Sequence, residues 1–171
     1  MRRIATGAAG AVAVAAILAL GIAVAGLASS GSLGGIAQTT SEETTEKPTV
    51  TKFRAVATPG AEVPKPTGVK AGARGVFGLT KTESSGSFSI AWTLTFRNLT
   101  GRAAAAHIHR GKVGRAGPVL VGLCGPCRSG QKGKAKISKR VAAAIKGGVT
   151  YVNVHTATNA AGEIRGQIRK R

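Results

Sequence analysis

The stretch Ser87-Phe88-Ser89-Ile90-Ala91-Trp92-Thr93-Leu94-Thr95-Phe96-Arg97 decides the fold. Phe88, Ile90, Trp92, Leu94 and Phe96 alternate with Ser, Ala and Thr. A period of two puts every large side chain on one face of a strand, whereas a helix would spread them around its circumference. Outward from this stretch the pattern recurs in shorter pieces. Residues 53–57, 73–80, 105–109, 119–123, 135–137, 151–156 and 163–168 all read as strands. Thr58-Pro59-Gly60 and Glu62-Val63-Pro64-Lys65-Pro66 interrupt them, since proline removes a backbone donor and fixes its own φ. The stretch 139–146, KRVAAAIK, reads as a short helical turn stopped by Gly147-Gly148. Short strands at this spacing predict an all-β fold, an antiparallel β-sandwich.

The N-terminus is built differently. Arg2 and Arg3 precede an uncharged apolar run at 8–28, and small residues follow. That is the order of parts in a secretory signal, and the run is also long enough for a membrane anchor. The expected organisation is a signal peptide or N-terminal membrane anchor over 1–37, a polar Thr-rich linker over 38–52, and the folded domain over 53–171. Both readings of the N-terminus place the domain outside the cytoplasmic membrane, secreted or associated with the cell envelope. Membrane contact is then expected only through an uncleaved N-terminal segment.

The chain carries a formal charge of +19, with six Glu and no Asp. Such a balance bears on partners rather than on fold. The run Arg128, Lys132, Lys134, Lys136, Lys139 and Arg140 concentrates it. In a basic chain this is first a solvated face. As a site it is a patch for an anionic ligand, and Lys132, Lys134 and Lys136 would share one face of a strand. The expected partner is an anionic cell-envelope polymer or an acidic protein. Nucleic acid is excluded as an expectation, because an exported domain without interleaved aromatics offers bases nothing to stack on.

The chain has three histidines. In Ala106-His107-Ile108-His109, alternation puts His107 and His109 on one strand face and Ile108 on the other. In Tyr151-Val152-Asn153-Val154-His155 the residues Tyr151, Asn153 and His155 share a face, and in Glu163-Ile164-Arg165-Gly166-Gln167 so do Glu163, Arg165 and Gln167. The first reading of these faces is a partly buried hydrogen-bond network. In it Glu163 pairs with Arg165, Asn153 joins, and the imidazoles bond to backbone carbonyls. The second is a metal site, Cu or Zn, on His107, His109 and His155, with Glu163 orienting an imidazole from behind. No cofactor follows from the sequence otherwise, and no catalytic arrangement stands out. Cys124-Gly125-Pro126-Cys127 reads as a disulfide in a surface loop. Redox use would need Cys124 at a helix N-terminus, and no apolar-periodic helix follows it.

Together these motifs resemble the CHRD (chordin) domain. The features that carry the resemblance are Glu62-Val63-Pro64, Ala106-His107-Ile108-His109 followed by Gly111, Gly114 and Gly117-Pro118-Val119, then Tyr151-Val152-Asn153-Val154-His155-Thr156 and Gly162-Glu163-Ile164-Arg165-Gly166-Gln167. They run from about Phe53 to Ile168. The resemblance implies an immunoglobulin-like or Cu/Zn superoxide dismutase-like sandwich, and an exported, non-enzymatic domain acting as a binding or structural module. The H-x-H strand is also similar to the copper strand of Cu/Zn superoxide dismutases. That likeness implies, as the alternative, a metal-binding protein with dismutase-like redox activity. The lack of Asp and of a fourth His argues against a full two-metal site.

Overall fold

A computed structural model describes residues 46–171 of the chain. The expected signal or anchor over 1–37 and the first half of the expected linker lie outside the described residues. Nine strands and one short helix follow in order: β1 (Thr49–Ala57), β2 (Arg74–Ser84), β3 (Ser87–Arg97), β4 (Ala103–Arg110), β5 (Val119–Cys124), β6 (Gln131–Ile137), α1 (Lys139–Lys146), β7 (Thr150–Thr156), β8 (Ile164–Gln167) and β9 (Arg169–Lys170). Among the described residues no helix is long and apolar enough to cross a membrane.

The strands form two antiparallel sheets, β6-β3-β2-β1-β9 and β5-β4-β7-β8. The fold is the all-β sandwich that the alternation predicts. Ile90, Trp92 and Leu94 of β3 face inward, as their period requires, and register puts Trp92 beside Leu79 on one side and Gly133 on the other. From the second sheet Ile108, Val152, Val154 and Ile164 meet them, each completely buried. Removing this apolar surface from water is the main driving force of the fold. One flank of the sandwich is closed by backbone. Thr58 and Arg165 exchange N–H···O bonds of 3.0 and 3.1 Å, and β8 then passes so close to β1 that a Cβ at Gly166 would stand 2.5 Å from the Val56 carbonyl oxygen. Only glycine fits at that crossing.

Three strands run four residues beyond expectation, β2 among them, which continues past Thr80 to Ser84, and the short β9 is an addition to the expected set. Strand β1 begins at Thr49, inside the stretch read as linker to Lys52. Its first residues pair with 80–83 of β2 through the backbone while their side chains stay largely exposed, so no apolar alternation announces them. Strand β6 begins at Gln131, four residues before the expected start, because its outward positions are lysines and its inward ones include Gly133. Helix α1 has the expected bounds. Ser138 caps it by accepting a hydrogen bond from the Val141 N–H, and Ala142, Ala144 and Ile145 are buried.

Leu94→Ala removes three side-chain carbons from a completely buried position in this core. Urea denaturation should show a loss of about 2–5 kcal/mol. Thr93→Ala, on the exposed side of the same strand, should cost less than about 1 kcal/mol. Equal losses at both positions would contradict the assigned faces of β3.

Candidate metal centre

The second sheet has an unusual outer face. It carries Tyr151, Asn153, Arg165 and Gln167, yet Tyr151, Asn153 and Arg165 are buried. The loops on either side of it act as the cover, and each polar group answers to one of them. Arg165 donates from Nη2 to the carbonyls of Lys112 and Arg115, at 2.9 and 2.8 Å. Its guanidinium lies 3.4 Å from the centre of the Tyr151 ring. Gln167 donates to the carbonyls of Gly111 and Gly148. Asn153 donates to the buried carboxyl group of Glu62, at 3.0 Å to each oxygen. These contacts satisfy one side of each group that would otherwise be costly to bury, while Asn153 Oδ1, Arg165 Nη1 and Gln167 Oε1 have no protein partner.

The histidines stand on this face. His107 and His109 project from β4, and His155 from β7 one pair further along the ladder. Their ligand nitrogens lie within 4.8 Å of one another. His109 is buried, while His107 and His155 are half-buried. The Nδ1 of His109 is 2.9 Å from the Gly117 carbonyl oxygen, and the Nδ1 of His155 is 2.9 Å from that of Ala160. A carbonyl can only accept, so in both rings Nδ1 carries the proton and Nε2 keeps its lone pair. The Nε2 of His155 meets the Nδ1 of His107 at 3.1 Å. The Nε2 of His109 is buried and has no hydrogen-bond partner. The Gly117 carbonyl is held in place by a tight approach: a Cβ on Gly117 would overlap the Arg110 carbonyl. The Tyr151 hydroxyl also accepts from the Gly117 N–H, and the Tyr151 ring stacks on His109 with centroids 5.0 Å apart.

Burial, then the neighbouring His155 and His109, lower the pKa of His107 below the usual imidazole range. Burial likewise lowers that of His109, helped by His155 and Arg165 and opposed by the Gly117 bond. Both rings are therefore neutral near pH 7, the form in which imidazole binds metal.

A family model described as the CHRD domain matches residues 53–168. The chain belongs to the CHRD domain family. In this CHRD domain the match begins inside β1, ends after β8, and takes in all three histidines. Neither the curated proteins nor the solved structures include a match to it.

Two expected contacts of the CHRD domain are replaced by others. Glu163 does not pair with Arg165, nor does it orient an imidazole. It accepts from the Thr100 N–H and hydroxyl, the Thr156 hydroxyl and the Asn159 amide, at 2.6, 2.5, 2.6 and 3.4 Å. Burial would raise its pKa, but these bonds outweigh burial and hold it below the usual carboxylate range. Neutral donors supply what a guanidinium was expected to supply, and backbone carbonyls orient the imidazoles instead. Glu62, Thr100, Asn159 and Gly117 belong to the site although alternation could not find them, because they come from loops. Glu62 carried a signal only as part of Glu62-Val63-Pro64. Cys124 and Cys127 form a disulfide with Cα atoms 5.2 Å apart, in a turn after β5 and not at a helix N-terminus. The basic run is divided: Lys132, Lys134 and Lys136 line the exposed side of β6, Arg128 lies in the preceding turn, and Lys139 and Arg140 open α1.

Burial pushes the pKa of Glu62 up to about 7, against the pull of Arg165, the Val63 N–H, Asn153 and Lys65. The folded residue thus keeps its proton to higher pH than the unfolded one, whose value is 4.5. Its favourable contribution is complete below about 4.5 and is lost as pH rises through about 7. Glu62→Gln removes this titration. Relative to the parent, the variant should gain stability between pH 5 and pH 8, by at most on the order of 3 kcal/mol. Denaturation at the two pH values measures it, and a difference that does not change with pH would rule the titration out.

Proposed function

We propose that this chain is an exported CHRD domain that works as a metal-binding module, taking one Cu or Zn ion on His107, His109 and His155. The observation that carries the reading is the pair of Nδ1–H···O=C bonds from His109 and His155. They turn two Nε2 lone pairs into the same small space, where that of His109 has no other partner. Metal-bound histidines are oriented by such second contacts. Nitrogens around a tetrahedral ion at Zn–N distances sit about 3.4 Å apart. His107 and His155 already stand at 3.1 Å, and the third nitrogen needs only a small ring movement to join them. His107 would release Nδ1 by carrying its proton on Nε2.

Neutral imidazoles favour Zn and Cu over Mg or Ca. No carboxylate joins the cluster among the described residues. Three protein ligands leave one coordination position for water or an external group. Export is supported by the order of Arg2, Arg3 and the apolar run at 8–28, and by the disulfide, which persists in oxidising compartments.

Untagged full-length protein should take up one Zn or Cu ion per chain by elemental analysis and calorimetric titration. His107→Ala and His155→Ala should each weaken binding at least ~100-fold. The chain has only three histidines, so no other imidazole can substitute. Absence of stoichiometric metal, or unchanged affinity in His155→Ala, would sink the reading.

A further inference from the structure

The outer face of the five-stranded sheet lies on the other side of the molecule's core from the histidines, and it has a division of its own. On β6 the outward positions are Lys132, Lys134 and Lys136, all exposed. On β1 they include Lys52 and Arg54, also exposed. The Arg171 N–H bonds to the Lys52 carbonyl, which brings a further cation to that side. Between these rails lie β2 and β3, whose outward residues along the middle of the sheet are small, with the paired Arg74 and Arg97 at one end. Register sets Gly78 beside Thr93, and Thr80 beside Ala91. Lys52, Arg171, Lys132 and Lys134 border the groove that results, with a volume of about 420 Å³.

The dimensions follow from strand geometry. β1 and β6 are three strand spacings apart, about 14 Å, and successive lysines on β6 are about 7 Å apart. That interval is shorter than the screening length of about 8 Å at physiological salt, so the fields of neighbouring cations add. No carboxylate occupies an outward position on β1, β2, β3 or β6. Glu62 and Glu163 are buried in loops on the histidine side, and Glu83 is paired with the inward Lys81.

The geometry points to a linear polyanion as the ligand of this trough: a sugar or polyol chain with repeating negative charges, lying between the two rails. Three features select that class. The cations stand in rows and do not converge on one point, so a compact anion has no focus. The backbone N–H groups of β2 and β3 are committed to the sheet ladder, so none is free to cradle a single phosphate. The outward floor is Gly78, Thr80, Ala91 and Thr93, and the two aromatics beneath it, Phe53 and Trp92, face the core and are 2 % and 5 % exposed, so neither offers nucleic-acid bases a ring face to stack on. The same flat floor leaves room for sugar or polyol units. This inference does not rest on the histidine cluster.

The test uses the full chain with four probes: polyglycerol phosphate, polygalacturonate, single-stranded DNA of matched charge, and anionic phospholipid vesicles. At least one of the two base-free polymers should bind, with affinity falling steeply as salt rises; whichever binds tells phosphate from carboxylate chemistry. The triple change Lys52→Gln, Lys132→Gln and Lys134→Gln should weaken binding at least tenfold and flatten the salt dependence. A control of equal charge, Lys70→Gln, Arg102→Gln and Arg110→Gln, lies off this face and should change binding less than threefold. All six positions are exposed, and unchanged thermal unfolding confirms that both variants fold. Equal weakening by the two triples would mean that only net charge matters, and would overturn the proposal. So would DNA binding tenfold tighter than either polymer, or binding to vesicles alone.

Discussion

A guanidinium is costly to bury, and its N–H groups demand partners that offset the lost hydration. Arg165 is 2 % exposed, and nearly everything on the outer face of the four-stranded sheet depends on how that demand is satisfied. Two carbonyls of the loop after β4 accept its N–H groups, and the Tyr151 ring lies under its plane. Fixing that loop fixes the Gly117 carbonyl, which fixes the tautomer of His109. A residue with no part in ligand binding thus decides which nitrogen of a histidine is available.

How much of this was legible in the sequence depends on which residues carry the information. The sandwich was legible because Ile90, Trp92 and Leu94 are buried on one side only, and burial on one side writes a period of two into the chain. The shared face of His107, His109 and His155 was legible for the same reason. The partners of Glu163 were not. Thr100 and Asn159 reach it from loops, where no period relates one residue to the next, and a carboxylate can be satisfied by hydroxyls and amides as well as by a cation. The start of β1 was hidden for a third reason. Thr49 to Lys52 is held by backbone pairing, and backbone pairing leaves no mark on side-chain polarity.

The same alternation separates two kinds of chemistry. The four-stranded sheet turns imidazoles, amides and one buried arginine outward beneath loops. The five-stranded sheet turns exposed lysines outward, and none of the described residues covers them. The net positive charge of the chain is therefore not spread evenly. It stands in rows along β6 and β1, while on the histidine side Arg165 is buried and Lys112 and Arg115 lie in the covering loop.

The loops over the histidine face are fastened by side chains, not by a sheet ladder. Arg165, Gln167 and Asn153 each hold a loop residue, and lifting a loop would leave those groups unbonded in the interior. Opening there costs energy of the same kind as unfolding. The face consequently has walls but no door. The way in to the imidazoles runs past the half-exposed edges of His107 and His155, between sides that the buried hydrogen bonds hold apart.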